Sequence, residues 1–215
     1  MDESTPGLRD AKKQRTRDQL AEVALRLFLE RGFDAVSVAE VAAAADVSKP
    51  TLFRYYPSKE DLVLDRFADH QDEAARIVRE RAAGEGPVQA LHRHFRAALA
   101  AFDPITGLND HPSVIDVQHL LYGTPSLQSR LTHYTEREIT LLAEALTADP
   151  LATDPLTARL AATHMIATRH ELGRANWHRI STGRSAADSL PQALADADRA
   201  FALLSSGLDA ALREE

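Results

Sequence analysis

Between Val47 and Leu62 the sequence reads VSKPTLFRYYPSKEDL. The cations Lys49, Arg54 and Lys59, the phenols of Tyr55 and Tyr56, and the hydroxyls of Ser48 and Thr51 crowd together there, with no acid before Glu60. Cationic side chains neutralise phosphates, while short polar ones can meet base edges. A short helix entering a major groove about 12 Å wide would present its first turn to the bases. Ser48 would cap such a helix, and Pro50 would sit in the first turn, where a missing N–H costs nothing. Lys49 and Thr51 are best placed for base edges. Arg54, one turn on, suits base or phosphate, and Tyr55 and Lys59 suit flanking phosphates. Ser37 and Val38, at the start of the preceding helix, complete the expected contact set.

The chain has 215 residues and a net charge of −7, which would argue against a polyanion partner if the charge were evenly spread. It is not. Arg9, Lys12, Lys13, Arg15 and Arg17 stand against one acid, Asp10, in a stretch that fits either a phosphate-facing arm or a solvated surface. Cysteine is absent, which excludes disulfides and thiolate metal sites and points to a reducing compartment. No run approaches the roughly 18 apolar residues of a membrane span, and the polar N-terminus lacks a secretory apolar region, so a cytoplasmic protein with no membrane partner is expected.

Nine histidines invite a metal or enzyme reading. His92 and His94 fall on different helix faces, which one ion cannot easily collect. There is no His-Glu-x-x-His motif, and Asp69-His70 and Asp110-His111 run opposite to the His-Asp order of helical metal phosphohydrolases. A cysteine nucleophile, a Gly-x-Ser-x-Gly elbow and a glycine-rich phosphate loop are missing as well. No metal and no cofactor are expected, and an all-α enzyme stands as the remote alternative.

Helices must position these groups. Leu20, Val23, Ala24, Leu27 and Phe28 make an amphipathic stripe that Gly32 ends. Ser37 and Glu40 form a capping-box pattern before a short helix over 38–45. Ser48 opens a second short helix with Leu52, Phe53 and Tyr56 on its apolar side. Pro57 ends it, and Ser58 caps a long helix over 59–82. After the break AAGEGP come helices over 87–102, 125–146 and 155–179, with 103–112 as loop and 181–189 as a polar linker. The last helix, 190–212, carries Leu190, Leu194, Ala197, Phe201, Leu204 and Leu208 as a seam. That seam fits a dimer interface or an intramolecular core. The expected fold is all-α with about nine helices: a three-helix helix-turn-helix domain over 1–62, with 1–10 as a flexible arm, and a larger helical domain over 63–215.

Ser37-Val38, Val41-Ala42, Val47-Ser48, Thr51-Leu52-Phe53-Arg54-Tyr55-Tyr56 and Ser58-Lys59 closely resemble the pattern of TetR-family transcriptional regulators, from about Thr16 to Leu64. Two positions depart from it. Asp46 replaces a frequent turn glycine but tolerates the left-handed conformation. Phe53 replaces a tyrosine whose hydroxyl meets phosphate, a contact that Tyr55 or Tyr56 would have to supply. The resemblance implies a homodimer on a palindromic operator in double-stranded DNA, with 59–82 as hinge. It also implies a repressor released by a small-molecule effector. A ligand-independent regulator or an activator is the alternative. Pocket candidates are Phe95, Leu99, Phe102, His119, Tyr122, Tyr134, Arg137, His164 and Thr168, although each histidine also fits an ordinary hydrogen-bonded role. The helix order and Trp177 loosely resemble mycofactocin-type regulators, which implies an acyl-CoA-like effector. Arg137, Arg169 and Arg174 would suit its anionic group.

Overall fold

The computed structural model describes residues 8–68, 70–148 and 154–209; those residues are helical with no strand. Ten α-helices follow one another: α1 Leu8–Arg31, α2 Val38–Ala44, α3 Lys49–Tyr55, α4 Asp61–Ala68, α5 Glu73–Arg79, α6 Pro87–Ala100, α7 Pro112–Gly123, α8 Pro125–Thr147, α9 Pro155–Ser181 and α10 Ala186–Leu204. A 3-10 turn, Pro104–Thr106, links α6 to α7, and a π turn, Ser205–Asp209, extends α10. The chain divides into two compact units: Met1–Ala68 with His119–Leu131, and Asp69–Gln118 with Thr132–Glu215.

In the first unit α1 packs against α2 and α4, and α2 packs against α3. The amphipathic stripe of α1 supplies Leu20, Ala24 and Phe28 to the core, where they meet a setting that also buries Val36, Val41, Leu52 and Leu64. Burying a side chain the size of Phe28 is worth about 2–3 kcal/mol. Gly32, at φ 86°, ends α1 as its pattern requires, and its N–H donates to the Phe28 carbonyl at 2.9 Å. The helix reaches back to Leu8, so 8–10 are helical rather than an arm, and residues 1–7 lie outside the described residues.

The second unit is built on α6, α9 and α10, with α10 packed against both of the others. Phe201 of α10 stacks on His92 of α6 at 4.9 Å and lies 6.1 Å from Phe95. Asp198 accepts from His92 at 2.8 Å and pairs with Arg96. Between α5, α8 and α9, Arg169 bridges the carboxylates of Glu73 at 3.1 Å and Glu138 at 3.0 Å. Burial pushes the nearby His94 imidazole below its ordinary value, so its neutral form is favoured.

Three elements differ from the pattern-based expectation. The expected helix over 59–82 is two helices, α4 and α5, with turn residues at 70–72; no glycine or proline in that stretch marks the stop. The last helix begins at Ala186, not at 190, because Ser185 accepts from the Asp188 N–H at 3.0 Å and so caps it. Pro191 therefore lies inside α10. Finally, 112–123 is helix α7, in a stretch where the sequence pattern places no element beyond the one-turn spacing of His119 and Tyr122.

Gly107 shows how tightly the 3-10 turn meets α9. It sits at φ 71°, and a Cβ there would fall 2.1 Å from the Gly173 carbonyl oxygen. Gly183 has φ 89° but nothing within 4 Å of its Cβ position. Gly183→Ala should therefore cost about 1 kcal/mol from backbone conformation alone, and Gly107→Ala about 3 kcal/mol or more. Thermal unfolding of the two variants beside the parent chain measures that difference.

Candidate nucleic-acid interface

The turn between α2 and α3 sets the geometry. The Val47 N–H donates to the Ala42 carbonyl at 2.9 Å and the Asp46 N–H to the Ala43 carbonyl at 3.2 Å. This paired closure requires a left-handed residue between the helices. Asp46 takes that conformation at φ 53°, as the sequence reading of the turn expected. The preceding capping box is complete: Ser37 Oγ accepts from the Glu40 N–H at 3.2 Å, and Glu40 Oε2 accepts from the Ser37 N–H at 2.8 Å.

Helix α3 then opens at Ser48, whose Oγ accepts from the Thr51 N–H at 3.2 Å and lies 2.8 Å from the Thr51 hydroxyl. Leu52 is fully buried and anchors the inward face. Ser48, Lys49, Pro50, Phe53 and Arg54 are exposed, while Thr51 and Tyr55 are half-buried. The outward face pairs cations with rings: Lys49 Nζ lies 5.9 Å from the Phe53 centroid, and Arg54 Cζ lies 5.5 Å from that of Tyr55. The result is a short, rigidly capped helix showing two cations and two aromatic faces to solvent. Ser37 is exposed and Val38 half-buried at the start of α2.

Three groups that look like phosphate ligands in the sequence serve the fold. Tyr56 is 1% exposed, so it does not stand in for the missing tyrosine hydroxyl at position 53. Its O–H donates to Asp65 Oδ2 at 2.7 Å and lies 3.0 Å from the Arg17 carbonyl. Burial, then the hydrogen bond to Asp65, pushes the phenol well above its ordinary value and keeps it protonated. Arg17 leaves the basic arm: its Nε donates to Asp65 Oδ1 at 2.8 Å, and its guanidinium lies 5.2 Å from the Tyr56 ring centroid. Lys59 Nζ donates to the Phe33 carbonyl and lies 4.2 Å from the Phe33 ring centroid. A lysine spent this way fixes the chain after α3 instead of reaching outward.

The expected pocket residues scatter. Phe95 and Leu99 are core residues of α6, and Arg137 and His164 are exposed. His164 Nδ1 lies 2.8 Å from its own helix's Leu160 carbonyl. Tyr134 and Thr168 are half-buried on α8 and α9, and His119 and Tyr122 stand on α7 within the first unit. Phe102, at φ 52° just past α6, borders an open recess of about 400 Å³ with Asn109, Asp110, His111, Pro112, Ala186 and Ala187. Of the three arginines suited to an anion, Arg169 is already held by Glu73 and Glu138.

The expected dimer seam divides too. Ala197, Phe201 and Leu204 are buried within the second unit, Phe201 against His92, while Leu190 and Leu194 are half-buried. The Leu208 side chain lies outside the described residues. The intramolecular alternative therefore holds for the centre of the seam. Leu156 and Leu160 of α9, at 68% and 49%, and Leu203 of α10, at 72%, are the large apolar side chains that this unit leaves to solvent among the described residues.

Residues 20–65 match the family described as bacterial regulatory proteins, tetR family. The HTH-type transcriptional regulator TcmR of Streptomyces glaucescens is 42% identical over 94 residues, 44% of this chain and 42% of that protein. MftR of Mycobacterium tuberculosis, of the mycofactocin type, is 34% identical over 92 residues, 43% of this chain and 44% of that protein. The chain thus spans less than half the length of these relatives, and the mycofactocin type is not singled out. A TetR-family regulator from Streptomyces coelicolor has a similar fold, with a TM-score of 0.56 at 20% identity over 99% of this chain and 100% of that one.

The capping box predicts a pH dependence. The Ser37 backbone hydrogen bond first, then Arg31, lowers the Glu40 carboxyl from 4.5 to about 2. A lowered folded-state value means stability that is present above pH 4.5 and lost as pH falls toward 2. Thermal unfolding should show the parent chain more stable than Glu40→Gln at pH 6, with the two converging on acidification.

Proposed function

We propose that this chain, whose residues 20–65 match the tetR family, is a TetR-family, sequence-specific DNA-binding transcriptional regulator. In this reading it acts as a homodimeric repressor on a palindromic operator. The observation that carries it is the outward face of α3, where Lys49, Phe53 and Arg54 are exposed on a helix locked at both ends. The DNA-contacting domain is 1–62, and 63–215 serves dimerisation and effector binding. Lys49 and Thr51 read base edges. Arg54, Tyr55, Ser37, Val38, Ser48 and Pro50 meet the backbone or shape the approach. Lys59 acts from within, through Phe33.

The dimer reading now rests on different residues from the sequence seam. Its support is the exposure of Leu156, Leu160 and Leu203 on the two last long helices, since apolar side chains left to solvent gain from a mate. Release by a small-molecule effector rests on the family resemblance. A ligand-independent regulator is the second reading, and the recess beside Phe102 offers an effector few unengaged polar groups. Asn109 Nδ2 donates to the Phe102 carbonyl, Asp110 Oδ2 accepts from the Ala186 N–H and His111 Nδ1 lies against Ser113 Oγ.

A duplex selected by the parent chain from a randomised pool provides the test, read by fluorescence anisotropy across a salt series. Lys49→Ala and Thr51→Ala should change which sequences bind, by about 1–3 kcal/mol at the affected position. Lys59→Ala should weaken all sequences alike with an unchanged salt slope, since its ammonium is committed inside. Equal, salt-sensitive binding to selected and random DNA would refute a sequence-specific regulator. In sedimentation, Leu160→Asp and Leu203→Asp should shift a dimer toward monomer while the helical spectrum is retained; unchanged dimers would move the interface elsewhere.

A further inference from the structure

We propose that Arg130 is a positioning residue for DNA binding, holding recognition helix α3 in place through a two-point ion pair with Asp61. The inference rests on the regulator reading above. Arg130 Nε donates to Asp61 Oδ1 at 2.8 Å and Nη2 to Oδ2 at 3.0 Å. The Asp61 side chain is 5% exposed, and its Oδ2 also accepts from the Ser58 N–H at 3.1 Å. Ser58 Oγ in turn accepts from the Asp61 N–H at 3.2 Å. One carboxylate thus closes the cap of α4 and takes both arms of a guanidinium that lies 69 positions away in sequence.

The position of that carboxylate gives the pair its role. Helix α3 ends at Tyr55, and Asp61 starts α4. The link between them contains Pro57, whose ring fixes φ, and Ser58, which is tied to Asp61. Fixing Asp61 therefore fixes the exit of α3. A buried carboxylate stripped of its cation is costly, so the link would rearrange rather than leave Asp61 in place. Arg130 itself is no phosphate ligand in this arrangement, because its planar fork is engaged with Asp61. It stands within the first unit, on a helix that continues from Thr132 into the second.

Removing Asp61 separates positioning from electrostatics, because the two predict opposite signs. If only charge mattered, Asp61→Asn would remove an acid and tighten binding to DNA. If Asp61 positions α3, the same change weakens binding to the selected duplex. The full-length parent chain, Asp61→Asn, Arg130→Gln and Arg130→Lys are titrated with that duplex and with a random duplex of equal length, with thermal melting of each protein. The expected result is about a tenfold loss on the selected duplex for Asp61→Asn and Arg130→Gln, with the salt slope unchanged, because no phosphate contact is lost. Arg130→Lys keeps the charge but not the fork. It should melt like the parent and still bind more weakly, which keeps the test valid if the other two unfold. Asp61→Asn or Arg130→Lys binding the selected duplex as tightly as the parent, or a salt slope lowered by about one for Arg130→Gln, overturns the proposal. A parent chain that enriches no duplex from the pool removes the regulator reading and this inference with it.

Discussion

A single phenol-carboxylate contact organises the first unit. Tyr56 closes α3, Asp65 lies in α4 and Arg17 lies in α1, and the Tyr56–Asp65–Arg17 group joins the three helices at one buried point. An isolated buried carboxylate would be prohibitively expensive. Here it accepts from a phenol and a guanidinium together, so the cost of burial is offset only when all three helices are in place. That condition makes the arrangement specific. A slide of α3 along its axis would separate the phenol from its acceptor and leave the buried carboxylate with the guanidinium alone. The outward face of α3 is therefore held at a defined angle by groups on the opposite side of the helix.

The same division of labour explains the unusual chemistry of 47–62. The stretch carries cations facing two ways. Lys49 and Arg54 point to solvent, whereas Lys59 turns inward onto the Phe33 carbonyl and ring. A lysine whose stem crosses apolar surface and whose ammonium finds a carbonyl and an aromatic face is well satisfied without solvent. The net negative charge of the chain places no limit on this, because the cations that matter are local and outward.

Local patterns in the sequence reveal the caps, the turn and the first core stripe. Ser37 and Glu40, Ser48, Asp46 and Gly32 each act within four residues, so their roles follow from spacing alone. Arg17, Lys59 and Arg130 could not be read that way. Their partners lie 48, 26 and 69 positions away, and a basic residue looks the same in sequence whether it meets a phosphate or a buried carboxylate. The Leu190–Leu208 seam left its partner open for a related reason. A repeat of threes and fours marks a helix face that is buried, not the identity of what buries it, and for Phe201 the answer is His92 of the same chain. The break between α4 and α5 was hidden because the polar stretch Asp69–Glu73 carries no glycine or proline to mark a stop.

The pairing of cations with aromatic rings on α3 has a thermodynamic consequence. A free lysine or arginine surrenders about 2 kcal/mol of rotamer entropy when it is pinned. Lys49 rests over Phe53 and Arg54 over Tyr55 before any partner arrives, so part of that ordering has already occurred in the folded chain. The phenyl ring at position 53 lacks the hydroxyl of a tyrosine but keeps the face on which the lysine rests. Recognition by such a surface draws less on freezing side chains at the moment of contact and more on a shape the helix already holds.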